Sequence, residues 1–271
     1  MTAPGSFYTG ADGAYVATDM ATSPWNAAHQ NGIAIIALMT HLIETTPTLE
    51  PMMLARMTVD IVRPTPVGPF AAECCIVREG RRMQNLEVVF RVAGEVTARA
   101  TALRVRLASS PVSMETLDYP PPEAAPDTPL SRRPGRVSPF ETRILSGGLT
   151  EPGPGRGWAR PVVQVLPGVA ASPLVAACMA ADIGSGLSSV FEHGAWSFAN
   201  VDVAVHFTRP PESAWIFIAA ETVSAGDGSA LVNSLLADER GPFARAHQTL
   251  FVEPMRLPSQ SVVQARAGAP A

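Results

Sequence analysis

One carboxylate lies inside an otherwise apolar stretch of the chain. Residues 172–190 read SPLVAACMAADIGSGLSSV, with Asp182 as the single acidic side chain. Ser172 is a typical N-cap and Pro173 suits the first helical position, so the stretch predicts one helix, apolar all round and therefore buried. A buried acid is paired, protonated or chemically active, so Asp182 is a candidate general base. The alternative is a structural acid that bonds backbone amides near Gly184.

The elements around this helix follow a pattern that occurs twice. An apolar helix within residues 25–44 precedes alternating segments in 54–106, which predict an antiparallel meander. Residues 107–139 contain eight prolines and predict an extended surface linker. The helix and a second meander then return. The predicted domains are 1–106, the linker 107–139, and 140–271.

The repetition has a fixed spacing. Arg63-Pro64 and Arg209-Pro210 differ by 146 positions, and so do the Ala-Arg-Ala runs at 98–100 and 244–246. The same shift lays 27–43 over 173–189, one helix on the other. We therefore expect a duplicated unit, each copy a long helix embraced by an antiparallel sheet.

Composition narrows the possible classes of function. The net charge of −4 argues against a nucleic-acid binder, and 46% hydrophobic residues are ordinary for a globular protein. Three scattered cysteines predict neither a disulfide framework nor a metal site and favour a reducing compartment. The N-terminus has no signal-peptide pattern, and the apolar run Ile33–Met39 is too short to span a bilayer. We expect a cytoplasmic protein without membrane, metal or cofactor.

Several short motifs, in this order and spacing, resemble one family. They are Trp25, His29 and Gly32; Arg63-Pro64; 78–82; Asp182; 200–202 and 207–210; and 241–248. The chain resembles the double-hotdog type II acyl-CoA thioesterases over nearly its whole length. This resemblance implies an α+β fold of two tandem hotdog units, each a long central helix wrapped by an antiparallel sheet. It also implies hydrolysis of acyl-CoA, without a cofactor, in lipid metabolism.

The resemblance assigns three residues to hold the water that attacks the thioester. The family aspartate falls on Asp182, its glutamine on Gln248, and its threonine position holds Asn200. An asparagine can orient a water as both donor and acceptor. Under the 146 shift, Asp182 aligns with Ile36 and Gln248 with Ala102, so the second copy alone carries the polar group.

The start of the first helix is the expected binding site for the thioester. Backbone N–H groups near Asn31 and Gly32 would stabilise the oxyanion, and Gly32 lets a ligand approach closely. His29 could contact the thioester or the pantetheine arm, or simply cap the helix. Arg78 and Arg81 could bind coenzyme A phosphates, or form a solvated hairpin.

Two rival functions remain open from the sequence. A hotdog enoyl-CoA hydratase or dehydratase would need a histidine beside Asp182. His29 is one candidate, and His206 is another because it shares strand parity with Asn200. A non-catalytic acyl-CoA binder would keep the cavity without hydrolysis. A homodimer of the double unit is also expected, by analogy with other hotdog sheets.

Overall fold

The structure is a computed structural model that describes residues 5–113, 116–128, 130, 138–192 and 194–255. The helices of the described residues are α1 (Gly32–Thr45), α2 (Pro173–Asp182) and α3 (Gly184–Leu187). The strands before the linker are β1 (Tyr8–Ala11), β2 (Ala14–Ala17), β3 (Met52–Ile61), β4 (Pro69–Arg78), β5 (Met83–Val92) and β6 (Glu95–Arg106). Those after it are β7 (Phe140–Ser146), β8 (Gly155–Pro161), β9 (Gln164–Leu166), β10 (Val169–Ala170), β11 (Trp196–Phe207), β12 (Ile216–Ser224), β13 (Ser229–Asp238) and β14 (Gly241–Pro254).

Twelve of these strands form one antiparallel sheet. Its order is β1-β2-β4-β5-β6-β3-β11-β14-β13-β12-β8-β7, and β9 pairs with β10 separately. At the centre β3 pairs with β11, with Val59 opposite Val203, so the two halves of the chain share a continuous sheet. The order of strands on either side of this pair is mirrored. Adding 146 to the bounds of β5 gives the bounds of β13, so the predicted spacing holds in these strands.

The helices depart from the predicted repeat. Helix α2 begins at Pro173, five residues before the position that a shift of 146 from Gly32 would give. The single helix expected over 172–190 is interrupted at Ile183 and continues only as the four-residue α3. At 14 and 10 residues, α1 and α2 are of ordinary length, so the expected long central helix in each half is not confirmed by the described residues.

Helices α1 and α2 pack against each other in antiparallel directions. The start of α2 meets the end of α1 where Ser172 Oγ donates to Glu44 Oε2 at 2.7 Å. The start of α1 meets the end of α2 beside Asp182. Ile36, Leu38 and Met39 of α1 are fully buried in one core that includes residues from both halves. None of the helices described is long and apolar enough to cross a membrane.

Part of the proline-rich segment packs onto the sheet. The indole N–H of Trp158 donates to the Pro120 carbonyl at 2.9 Å, and Tyr119 stacks on Phe217 at 4.3 Å between ring centroids. Ile216 and Ile218 face the main core, so Phe217 between them points to the opposite face of the sheet. The segment therefore covers the outer face of the second half.

Candidate active site

Asp182 and Asn200 form a hydrogen-bonded pair between the end of α2 and the start of β11. Asn200 Nδ2 donates to Asp182 Oδ1 at 2.7 Å. Burial raises the pKa of Asp182 from 3.8 to about 6, and the bond from Asn200 opposes part of that rise. The side-chain oxygen of Asn200 is buried and has no partner within the described residues. It is thus free to accept a hydrogen bond from a water or substrate placed beside the pair.

Gln248 holds the main chain where the second helix breaks. Its Nε2 donates to the backbone carbonyl of Asp182 at 2.9 Å, and its Oε1 accepts from the backbone N–H of Ser185 at 3.0 Å. A Cβ at Gly184 would lie 2.8 Å from that Oε1 and 2.6 Å from Ser234 Oγ, so glycine permits this close approach. Gln248 is fully buried and contacts the main chain of Asp182, not its carboxylate. It therefore fixes the position of the Asp182 main chain, from which the carboxylate extends.

The first turn of α1 faces the Asp182 carboxylate. Asn31 caps the helix by accepting from the N–H of Ala34 at 2.7 Å. The N–H groups of Gly32 and Ile33 have no acceptor among the residues described. A Cβ built on Gly32 would lie 2.9 Å from Asp182 Oδ1, so the two are in direct contact. Unpaired amides at a helix start attract negative charge.

A cavity of about 680 Å³ joins these groups. Its lining includes His29, Asn31, Gly32, Asp182, Ser185 and Asn200, together with apolar side chains. Trp25 lies at its edge, partly exposed, and packs edge-on against Phe198 at 5.2 Å between centroids. Leu130 and Pro139 from the expected linker also line the cavity, so that segment is more than a spacer.

A β-bulge determines which side chains of β11 face this cavity. Relative to β14, Asn200 pairs with Leu250 and Asp202 with Thr249, which leaves Val201 as the extra residue. The alternation therefore reverses at Val201, and Asn200 shares the inner face with Val203. The parity argument for His206 was wrong, because that side chain is exposed on the outer face. Within the described residues, Asp182 has Asn200 as its side-chain partner and no histidine.

Arg78 and Arg81 lie far from the cavity. They flank the turn between β4 and β5, close to the end of α1, where Gln84 Nε2 bonds the Pro47 carbonyl at 2.8 Å. Helix α1 is about 21 Å long at 1.5 Å per residue, and Asp182 meets its opposite end. The structure therefore does not bring these arginines together with the other candidate residues, and their binding of coenzyme A phosphates stays a prediction. No group of three or more His, Cys, Asp or Glu side chains suited to a metal ion occurs in the described ranges.

Two hydroxyl-bearing residues of the cavity wall were not among the candidates drawn from the sequence. Ser185 follows Asp182 by three positions across the helix break and lines the cavity. Thr65 also lines it, and its buried hydroxyl has no partner among described residues. Ser185 could have been found from its helical spacing to Asp182. Thr65 stands in a Pro-Thr-Pro segment, which gives no chemical signal.

Two family sequence models match the chain. The model of the acyl-CoA thioesterase N-terminal domain matches residues 21–105, and that of the C-terminal domain matches residues 115–252. The chain belongs to the acyl-CoA thioesterase family. These matches confirm the resemblance drawn from the sequence. No curated protein matches the sequence significantly.

Solved structures of low sequence identity share the fold of this acyl-CoA thioesterase family member. One is a conserved hot dog fold protein of unknown function from Alicyclobacillus acidocaldarius, with TM-score 0.73, 19% identity, and coverage of 92% of this chain and 96% of that one. Another is acyl-CoA thioesterase II TesB2 from Mycobacterium marinum, with TM-score 0.62, 16% identity, and coverage of 91% and 94%. The tesB protein of Mycobacterium avium subs paratuberculosis has TM-score 0.63, 17% identity, and coverage of 89% and 94%. The chain therefore has the hotdog fold.

Proposed function

We propose that this protein hydrolyses acyl-CoA thioesters with a water molecule held by Asp182 and Asn200 at the start of α1. The observation that carries the proposal is the contact between Asp182 and Gly32. It sets a carboxylate with a raised pKa against unpaired helix amides in the wall of one cavity. A base and an oxyanion site are the two groups that direct attack of water on a thioester requires.

In the proposed reaction, ionised Asp182 takes a proton from the water while the water oxygen attacks the carbonyl carbon of the thioester. The carbonyl electron pair moves to the oxygen, which the N–H groups of Gly32 and Ile33 stabilise. The tetrahedral intermediate then expels the thiolate of coenzyme A, and Asp182 returns its proton to that sulfur. The products are a carboxylic acid and free coenzyme A, so the atoms and charges balance.

The other residues of the proposed site position these groups. Asn200 orients the water with its free side-chain oxygen and keeps the carboxylate in place. Gln248 is assigned as a positioning residue, because both ends of its amide bond the main chain at the helix break. Ser185 is a further candidate to hold the water, since it lines the cavity one turn beyond Asp182. His29 and Asn31 at the rim are assigned to the substrate side.

The domain organisation belongs to the same proposal. The mirrored strand order about the β3–β11 pair supports two fused hotdog units, 1–106 and 140–271, joined by residues 107–139. Participation in lipid metabolism, a cytoplasmic location and a homodimer of the double unit stay predictions.

The activity is tested by incubating the purified protein with acetyl-, butyryl-, hexanoyl- and palmitoyl-CoA and a thiol reagent. Release of free thiol by the wild type, reduced at least about a hundredfold in Asp182→Asn, is expected for a general base. Asp227→Asn makes the same chemical change in the exposed turn between β12 and β13 and serves as the control. Binding of acyl-CoA without turnover would instead identify a binding protein. Addition of water to an enoyl-CoA would identify a hydratase.

A further inference from the structure

The hydroxyl of Thr65 is a buried polar group in the wall of the cavity without a partner. Its residue is 1% exposed, although Pro64 and Pro66 on either side are exposed, so the side chain points inward. Its Oγ1 has no hydrogen-bond partner in the described part of the chain. A valine would fill the same volume without leaving a donor and acceptor unpaired. An unpaired buried hydroxyl is costly, and such a group calls for a partner that binds there.

Neighbouring polar groups of the cavity wall do not share this property. Thr142 Oγ1 donates to the Thr128 carbonyl at 3.0 Å and accepts from the Leu130 N–H at 2.9 Å. Gln30, which is also buried, accepts from Tyr8 and donates to the Pro66 carbonyl at 2.8 Å. Within the described cavity lining, the buried side-chain atoms left unpaired are Asn200 Oδ1 and Thr65 Oγ1. The first faces the proposed water, so the second is available for another part of the substrate.

The main chain ties Thr65 to the end of the cavity where the thioester would lie. The Thr65 carbonyl accepts from the backbone N–H of Gln30 at 2.7 Å. Gln30 precedes Gly32 by two residues, a span of at most about 7 Å. Thr65 is thus bonded to the segment that carries the proposed oxyanion donors, and its side chain is buried. The exposed rim at Trp25 and Asn26 is where the pantetheine arm would leave.

We propose that Thr65 is a specificity-determining residue that hydrogen-bonds a hydroxyl or oxo group near the carbonyl end of the acyl chain. This inference rests on the proposed thioesterase function and names its substrate class: acyl thioesters oxygenated close to the thioester carbon. A threonine hydroxyl can both donate and accept, so either oxygen function fits. An unsubstituted acyl chain would leave the hydroxyl unpaired, and the protein would discriminate against it.

The test compares 3-hydroxybutyryl-, acetoacetyl- and butyryl-CoA with the wild type, Thr65→Val and Thr65→Ser. The wild type should hydrolyse at least one oxygenated substrate with a kcat/KM about tenfold above that for butyryl-CoA, the size of one neutral hydrogen bond. Thr65→Val should lose this preference and Thr65→Ser should keep it. Thr97→Val is the matched control, because the Thr97 hydroxyl is equally buried and unpaired but does not line the cavity. It should retain the preference of the wild type.

The outcomes separate this inference from the proposed activity. Equal kcat/KM values for all three substrates in the wild type, or an equal loss on all three in Thr65→Val, overturn the role of Thr65 while hydrolysis stands. The second result would indicate a contact with the pantetheine arm or with an ordered water. If no substrate releases thiol, the proposed function fails, and the dissociation constants of the same three thioesters decide the inference. Tighter binding of an oxygenated thioester that is lost in Thr65→Val supports the inference, and equal affinities for the three thioesters overturn it.

Discussion

Asn200 donates to the Asp182 carboxylate at 2.7 Å, and this bond acts on the acid in the opposite direction to burial. Burial favours the neutral acid, whereas a donor on the oxygen favours the ionised base. The pair therefore sets the pH at which the proposed base becomes available. The bond also links Asp182 at the end of α2 to Asn200 in β11, the next strand along the chain.

The first prediction concerns pH. If ionised Asp182 is the base, kcat/KM rises with pH through a pKa of about 6 and levels off above it. Asn200→Ala removes the bond that lowers this pKa, so the midpoint of the acid limb should move to higher pH and the plateau should fall. Asn200→Thr keeps a hydroxyl donor and should retain more activity. The measurement is thiol release across roughly pH 4–8, which brackets that pKa by about two units on each side.

The control for this series lies on the other face of the same sheet. Asn233 bonds His247 Nδ1 at 2.9 Å, away from the cavity, and Asn233→Ala should leave the acid limb in place. A midpoint in Asn200→Ala equal to or below that of the wild type would contradict the assigned role of the bond.

The second prediction concerns Gly32→Ala. The added methyl would lie 2.9 and 3.2 Å from the two carboxylate oxygens of Asp182, which must then rotate away from Asn200. We expect kcat/KM to fall by about tenfold or more, because small displacements of a positioned base are expensive. Folding should not suffer, since alanine is favoured over glycine in a helix by about 0.5–1 kcal/mol. Thiol-release kinetics and thermal unfolding check the two parts. Undiminished kcat/KM in a well-folded variant would remove Asp182 from the reaction.

The third prediction concerns Gln248→Leu. The change leaves the carbonyl of Asp182 and the N–H of Ser185 buried without their partner, at a cost of about 1–3 kcal/mol for each. The midpoint of thermal unfolding should fall by several degrees. As a positioning residue, Gln248 should affect kcat more than KM. Gln164→Leu loses a bond to the Gly168 N–H in an exposed turn and should show a smaller thermal shift and unchanged kcat.

Sequence patterns account for much of this arrangement and fail at identifiable points. Asp182 stands out because a lone acid in an apolar helix has few explanations, and the alternating strands predict the meanders. The bonds of Gln248 could not be predicted, because the helix break at Ile183 and the strand that reaches it are 65 residues apart. His206 was misplaced because the bulge at Val201 has no clear sequence signature. Such bonds and side-chain orientations depend on contacts between distant parts of the chain, and residue spacing in the sequence does not specify those contacts.

The last prediction concerns Arg78 and Arg81. Their guanidinium groups suit phosphate, but they lie far from the cavity. The Arg81 side chain is 81% exposed and lies 4.0 Å from Glu50, at the end of α1 away from Asp182. A helix about 21 Å long separates this turn from the cavity, more than twice the screening length of roughly 8 Å at physiological salt. Arg78→Ala and Arg81→Ala should therefore leave KM for acyl-CoA within about twofold of wild type, because charges that distant act weakly. Trp25→Ala, at the rim of the cavity, should raise KM and shows that the assay detects lost substrate contacts. A large rise in KM in either arginine variant would contradict this prediction and would mean that the phosphates of coenzyme A reach the β4–β5 turn.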